Sequence, residues 1–329
     1  MREPGGEWWN DEPEKVPLAR GACHSFVTPR AIVDSGDARA RLVIDIRFGD
    51  NLDVLKTFDD ASFDLIYIDP PFNTGREQRR TRLTTARDDR GDRTGFKGKR
   101  YRTTPHGAMG YGDAFDDYLG FLAPRLAQAH RLLTEHGSVF VHLDYREVHY
   151  VKVALDGIFG RECFQNEIVW AYDYGARSTT RWPAKHDNIL WYSRERDGYT
   201  FQLDEADRIP YLAPGLVTPE KAARGKTPTD TWWHTIVSPT GKEKTGYPTQ
   251  KPIAILERIV KVHSRPGDRL LDFFAGSGSF GDAADRQGRD VVLVDDNPDA
   301  IDVMRRRFAG RDVRITPKRW KKRSASSSE

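Results

Sequence analysis

Apolar residues fall along the chain in two textures. Short unbroken runs, RLVIDI (41–46), FDLIYID (63–69), GSVFVHLD (137–144), DRLLDFF (268–274) and DVVLVDD (290–296), have the length of strands and read as buried ones. Elsewhere the apolar positions return at helical spacing. Within 113–136 they are Phe115, Tyr118, Leu119, Leu122, Leu126, Ala129, Leu132 and Leu133; further helices are expected over 147–160, IAILERIVKVHS (253–264) and PDAIDVMRRRF (298–308). Pro124 lies inside the first of these and predicts a break or kink. Strands alternate with helices at both ends of the chain, so one parallel-rich α/β sheet assembled from both halves is expected.

Four segments do not follow the pattern. Residues 1–40 are rich in Pro, Gly and charge and read as an N-terminal arm, with Trp8 and Trp9 as its anchors. Residues 73–112 are rich in Arg, Thr and Gly with almost no aliphatic side chains, which predicts a long mobile basic loop and not core. Residues 166–246 carry many Trp, Tyr, Arg and Thr but few periodic runs, and read as an inserted subdomain. Residues 311–329 form a basic tail. The regular α/β pattern is therefore expected in two pieces, 41–165 and 247–310.

Charge changes the picture by its placement. Lys plus Arg number 52 against 49 Asp plus Glu, a net charge of only +3. Yet residues 76–102 hold eleven Lys/Arg against four acids, and the last nineteen residues hold seven against two. Two basic segments thus call for a polyanion or for solvent. The two cysteines, Cys23 and Cys163, form no CxxC, which excludes a disulfide framework, argues against structural zinc and fits a reducing cytoplasm. No apolar run reaches the ~18 residues of a membrane span, and the first residues have no signal-peptide core, so a soluble cytoplasmic protein is expected.

Two motifs carry chemistry. In LLDFFAGSGSFGDAADRQGRDVVLVDD, a strand leads to a turn in which Gly276, Gly278 and Gly281 let a ligand approach the backbone N–H groups of the next helix. Asp295 closes the following strand, where an acid holds the ribose of a nucleotide cofactor. The turn alone admits either NAD or S-adenosylmethionine. The second motif is the end of LIYIDPPF: Asp69 offers a carboxylate, Pro70 and Pro71 a stiff backbone with carbonyls and no competing N–H, and Phe72 an aromatic face. These are parts for holding a flat ring that bears an amino group, which NAD enzymes do not need.

The order of the blocks, DPPF (69–72) before DFFAGSG (272–278) with a variable region between, resembles the permuted-order (beta-class) amino-group DNA methyltransferases. GDNLDVL (49–55), GSVFVHLD (137–144), KHDNILWYS (185–193), TWWHTIVSPTGKEKTGYPTQKP (231–252) and VVLVDDNPDAIDVMRRRF (291–308) extend the likeness over most of 41–310. The resemblance implies a Rossmann-like S-adenosylmethionine-dependent methyltransferase fold, a mostly parallel sheet with helices on both faces plus an inserted target-recognition region. It implies that Asp69, Pro70, Pro71 and Phe72 hold the target base. Phe273, Ala275, Gly276 and Gly278 would line the cofactor, Asp295 would bind its ribose, and Thr249, Gln250, Lys251 and Pro252 would close the pocket. Asp50 would lie near the adenine, or serve only as a helix N-cap. His142 and Asp144 share a strand face without an assigned role, and a satisfied core histidine is the expectation for the former.

With this family come S-adenosylmethionine as cofactor, no metal, and double-stranded DNA as partner; a homodimer and a restriction endonuclease partner stay open. The expected activity is site-specific methylation of the N6 amino group of adenine in a flipped base. Cytosine N4 is the near alternative, since its enzymes typically have Ser in place of Asp69; an RNA methyltransferase, an NAD-dependent oxidoreductase and a silent DNA-binding module are more distant ones. Arg76, Arg79, Arg80 and Arg82 would meet phosphates, and Arg177, Arg181 and Lys185 in the insertion would read base edges.

Overall fold

The computed structural model describes residues 43–317 apart from 76–77, 88–92, 95–99, 112, 176, 239–240 and 242. The arm 1–40, Cys23, Arg76 and the end of the basic tail lie outside the described residues. The first half runs β1 (Ile44–Phe48), α1 (Asn51–Leu55), β2 (Phe63–Ile68), β3 (Gln78–Arg87), β4 (Arg93–Thr94), β5 (Arg100–Tyr111), α2 (Tyr118–Leu132), β6 (Leu133–Leu143) and α3 (Val148–Phe159). Then come β7 (Phe164–Ala171), β8 (His186–Ser193), α4 (Pro219–Arg224) and β9 (Thr231–Trp233). The second half is α5 (Ile253–His263), β10 (Arg269–Asp272), α6 (Ser279–Arg286), β11 (Asp290–Asp295), α7 (Pro298–Arg307) and β12 (Val313–Thr316).

Nine strands form one sheet in the order β12-β1-β11-β10-β2-β6-β8-β7-β9. Pairing is parallel from β12 through β6; only β8 runs against its neighbours β6 and β7. The unbroken apolar runs follow from burial on both faces. In β11, Val291 and Leu293 enter one core while Val292 and Val294 enter the other, and β2 divides Leu65 and Tyr67 from Ile66 and Ile68 in the same way. The first core is closed by α5, α6 and α7 through Leu256, Ile259, Phe280, Ala284, Ile301 and Met304. The second is closed by α1, α2 and α3 through Leu55, Leu122, Leu126, Val151 and Leu155. Each such side chain contributes about 1.5–3 kcal/mol by leaving water, so the two helical layers hold the sheet between them. The expected doubly covered parallel sheet is present.

Four expectations are corrected. The segment 73–112 is not a featureless loop, because β3 and β5 pair antiparallel from Gln78↔Tyr111 to Arg87↔Tyr101, with β4 on the far side of β5. Its threonines favour a pleated strand, and lack of aliphatic residues had concealed that preference. Residues 166–246 are not a separate subdomain throughout: β7, β8 and β9 extend the main sheet. The sheet also continues past 310, since β12 pairs with β1 and its Arg314 reaches the buried Asp45 at 2.7 Å. Finally, α2 runs through Pro124 without breaking. Asp117 caps its start by accepting from Gly120 N at 2.8 Å, and Arg125 donates to the Phe121 carbonyl one residue beyond the one that Pro124 leaves unpaired.

The topology fixes where a ligand can sit. From β10 the chain turns over the first face through α6 to β11; from β2 it reaches β6 through α2 on the second face. The strand order therefore diverges between the neighbours β10 and β2, which are in register at Leu270↔Leu65 and Leu271↔Ile66. The crevice beyond their carboxyl ends is the switch point at which open α/β sheets bind ligands. No helix of the described residues is long and apolar enough to cross a membrane.

Candidate active site

Asp69 follows the last residue of β2 at this crevice, its side chain only 18% exposed. The chain then turns through Pro70, Pro71 and Phe72 to Asn73, whose positive φ of 52° reverses its direction. That turn is tied down on the far side. Asn73 donates to Glu147 Oε1 at 2.8 Å and accepts from Phe115 N at 3.0 Å, Thr74 donates to Asp113, and Gly75 N donates to the Asp113 carbonyl at 2.9 Å. Neither Asn73 nor Glu147 stood out in the sequence; the only signal was an Asn directly after the motif, a residue type that tolerates the left-handed region.

Behind Phe72 lies a closed polar network. The His142 ring is 6.0 Å from that of Phe72, fully buried, and bonded at both nitrogens, to Tyr67 Oη at 2.7 Å and to Asp187 Oδ2 at 3.2 Å. Tyr172 donates to the other Asp187 oxygen at 3.1 Å. Burial pushes the Asp187 carboxyl up, but the hydrogen bond and charge of His142, then the charge of Lys251, bring it below the usual carboxylate range. His142 is the satisfied core histidine expected. Asp144, one turn of the pleat away, is buried against Arg146, and burial holds its carboxyl above the usual range.

Lys251 reaches across from the start of α5. Its ammonium donates to both Asp69 oxygens, at 2.6 and 2.5 Å, and stands 4.6 Å from the Phe72 ring centre. The TQKP segment that carries it is held by Gln250, which accepts from Thr245 N and Oγ1 at 2.8 Å and donates to the Glu243 carbonyl at 2.8 Å. Thr249 is exposed at a positive φ of 55°, and Pro252 is the buried cap of α5. Lys251 was expected on the cofactor side; its contacts in the structure are to Asp69 and Phe72.

The glycine turn lies on the other wall. Gly276 and Gly278 have positive φ of 48° and 72°, and Gly278 caps α6. A Cβ on Gly278 would stand 2.8 Å from Met304 Cγ, so close helix packing requires glycine there; one on Gly276 would meet the Tyr247 ring at 3.1 Å. Asp295, at the end of β11, accepts from Gly276 N at 2.7 Å and Asn297 N at 2.8 Å. Burial drives its carboxyl up to about 7 against the pull of those two N–H groups. Each oxygen keeps a lone pair for a further donor. Burial, aided by the charges of Asp69 and Asp295, holds the neighbouring Asp272 carboxyl well above its usual range against one bond from Phe274 N. Phe273 is fully buried in the second core, so its side chain packs; Phe274 beside it is partly exposed, and Ala275 is buried. Asp50 takes the capping role, accepting from Leu52 N at 2.9 Å and Asp53 N at 3.3 Å, and pairs with Arg125 at 3.1 Å. Gly49 before it donates to the Asp295 carbonyl at 3.1 Å, which places Asp50 on the same edge.

The residues expected to meet DNA lie on two elements. Arg79, Arg80 and Arg82 are on β3. Arg177 and Arg181 are exposed in the β7–β8 connection at the carboxyl end of β7, beside Trp182, which is 96% exposed. Lys185, in the same connection, is half-buried and donates to the Asp173 carbonyl at 2.9 Å. No group of three or more His, Cys, Asp or Glu among the described residues could hold a metal ion.

With this geometry in place, the comparisons are decisive for the family. A DNA methylase model for N6 and N4 enzymes matches residues 63–306. The chain belongs to the DNA methylase family. Among its relatives, the Type II methyltransferase M.HpaI of Haemophilus parainfluenzae is 28% identical over 254 residues, 77% of this chain and 70% of that one. The DNA adenine methyltransferase YhdJ of Escherichia coli is 27% identical over 268 residues, 79% and 81% of the two chains. A DNA modification methylase of Thermus thermophilus, solved with S-adenosyl-L-methionine, shares the fold at a TM-score of 0.53 and 19% identity, covering 84% of this chain and all of its own. The cytosine-N4-specific PvuII methyltransferase does so at 0.56 and 14% identity, over 82% and 89%. Fold likeness thus spans both base specificities, and the Rossmann-like methyltransferase fold holds.

Proposed function

We propose that the protein is a site-specific DNA methyltransferase that uses S-adenosylmethionine and acts on the N6 amino group of adenine in a base flipped out of the duplex. The observation that carries this reading is the pairing, across one switch point, of the Asp69–Phe72 turn with the Gly276–Asp295 wall. The cofactor side fits its ligand: Asp295 keeps lone pairs for a diol, and the two left-handed glycines leave the backbone open to close approach. Gly276, Gly278, Asp295 and the 249–252 segment would hold it. When bound, S-adenosylmethionine supplies an electrophilic sulfonium methyl for the amino nitrogen, with S-adenosylhomocysteine as the leaving product.

The protein's own groups supply position and charge. An exocyclic amino nitrogen is a weak nucleophile because its lone pair is delocalised into the ring. Hydrogen bonds from its two N–H groups to the Asp69 carboxylate and the Pro70 carbonyl localise that pair and stabilise the positive charge that develops. Phe72 stacks on the ring. Asp at position 69 favours adenine over cytosine, and the likeness to YhdJ points the same way; that to PvuII methyltransferase bears on the fold alone. Incubation with labelled S-adenosylmethionine and mixed DNA, followed by nucleoside analysis, tests the reading. N6-methyladenine is expected, N4-methylcytosine would move the specificity, and unlabelled DNA would refute the activity. Modification-sensitive sequencing of the same DNA gives the site.

A further inference from the structure

In the free protein the two groups assigned to the target base are already engaged by a cation of the protein itself. The Lys251 ammonium donates to both oxygens of Asp69 at 2.6 and 2.5 Å and faces the Phe72 ring at 4.6 Å, with its side chain only 9% exposed. A stacked base with its amino group on Asp69 requires the same carboxylate lone pairs and the same ring face, so the ammonium and the base exclude each other. On the proposed function, we infer that Lys251 is a placeholder for the amino group: it occupies the base site until a base able to donate hydrogen bonds to Asp69 displaces it.

The chemistry favours such a device. Without the lysine, a mostly buried carboxylate at a strand end would stand unpaired, and such a charge is costly. With it, the arrival of the base exchanges one donor for another. The exchange is selective, because a base that presents no amino group to Asp69 cannot replace the ammonium and would leave an anion and a cation both unpaired. Withdrawal has a short path. Asp187 and Asp272 both feel the charge of Lys251, so the ammonium leaves Asp69 without leaving a negative field.

The test uses the full chain and a duplex carrying the methylated site found by sequencing, with the target base either intact or replaced by 2-aminopurine, a fluorescent purine whose amino group is at a different ring position. Wild type should bind the intact duplex tighter than the 2-aminopurine duplex and leave the probe largely stacked and dim. Lys251→Met should raise the probe's fluorescence and reduce that preference roughly three- to tenfold, while cofactor affinity measured by calorimetry stays at the wild-type value. Lys251→Arg, whose guanidinium grips a carboxylate with two parallel bonds, should lower extrusion of either base below wild type, and serves alone if the Met variant does not fold. An unchanged or dimmer probe in Lys251→Met with normal cofactor binding, or extrusion in Lys251→Arg equal to wild type, overturns the inference. Methylation of the intact duplex by wild type is measured alongside; its absence would overturn the proposed function itself.

Discussion

Asp295 makes cofactor affinity depend on pH in a direction that the structure fixes. Its carboxyl sits at about 7 in the free protein because burial outweighs the two N–H groups that it accepts from. The unfolded chain releases that proton near 3.8, so this group's contribution to stability falls as pH rises from about 4 to about 7, where the buried anion forms. A ribose diol donates to the anion, and its binding therefore expels the proton. Affinity should scale with the ionised fraction: at pH 6 about one site in eleven is ready, at pH 8 about nine in ten. The expected loss on going from pH 8 to pH 6 is about tenfold, ~1.4 kcal/mol. Calorimetric titration with S-adenosylhomocysteine in two buffers of different ionisation enthalpy measures both the affinity and the proton released. The ligand's own α-amino group titrates near 7.7–8.0, and Asp295→Asn, which binds with a loss of roughly 1–3 kcal/mol at pH 8, subtracts that contribution. A wild-type curve that runs parallel to the Asn variant's between pH 6 and 8 would refute the reasoning.

Other expectations follow from the same geometry. Asp69→Ala should abolish methyl transfer while cofactor affinity stays within a few-fold; it should also lower the melting temperature by stranding the Lys251 ammonium, and the added change Lys251→Met should restore part of that loss in a double-mutant cycle. Gly278→Ala must place a Cβ 2.8 Å from Met304 Cγ in a left-handed backbone, and should cost about 2–4 kcal/mol in urea unfolding. Neutralising Arg79, Arg80 and Arg82 should weaken binding to all sequences alike and flatten the salt dependence by ~0.9 log unit for each phosphate no longer neutralised, with the methylated motif unchanged. Changes at Arg177 or Arg181 should instead shift base preference in methylome sequencing, at about 1–3 kcal/mol for a bidentate pair with a base edge.

The fold was legible where burial is two-sided. Runs such as LIYI and VVLV have no polar face because β2 and β11 are covered on both, and the helices that cover them show the matching spacing. The β3–β5 hairpin was not legible, since its strands are written in threonine and arginine and apolar alternation says nothing of them. Asp69, Gly276, Gly278 and Asp295 could be named because each motif needs a particular residue type at a strand end. The supports of those motifs could not. Asn73 meets Phe115 and Glu147 across 42 and 74 positions of sequence, and Tyr247 meets Gly276 only once the chain has folded. Lys251 was named and placed on the wrong side of the site, for a lysine's reach is decided by its anion and not by its neighbours in sequence.

That Asp69 and Gly276 work in one crevice despite some two hundred intervening residues follows from the sheet and not from their order. The two motifs end adjacent strands, β2 and β10, and those strands need only pair. What lies between them in sequence is carried off on the β6 side as β6, β8, β7 and β9, away from the cofactor wall formed with β11 and β1. The insertion can therefore lengthen or change without disturbing either wall, provided that it returns through α5. The return is also where the walls are joined: Tyr247 packs on the glycine turn at one end of the TQKP segment, and Lys251 holds Asp69 four residues later. A change in the recognition segment that moved this return would thus be felt at the base and at the cofactor together, which is how a region that reads sequence can be coupled to a site that does chemistry without touching it.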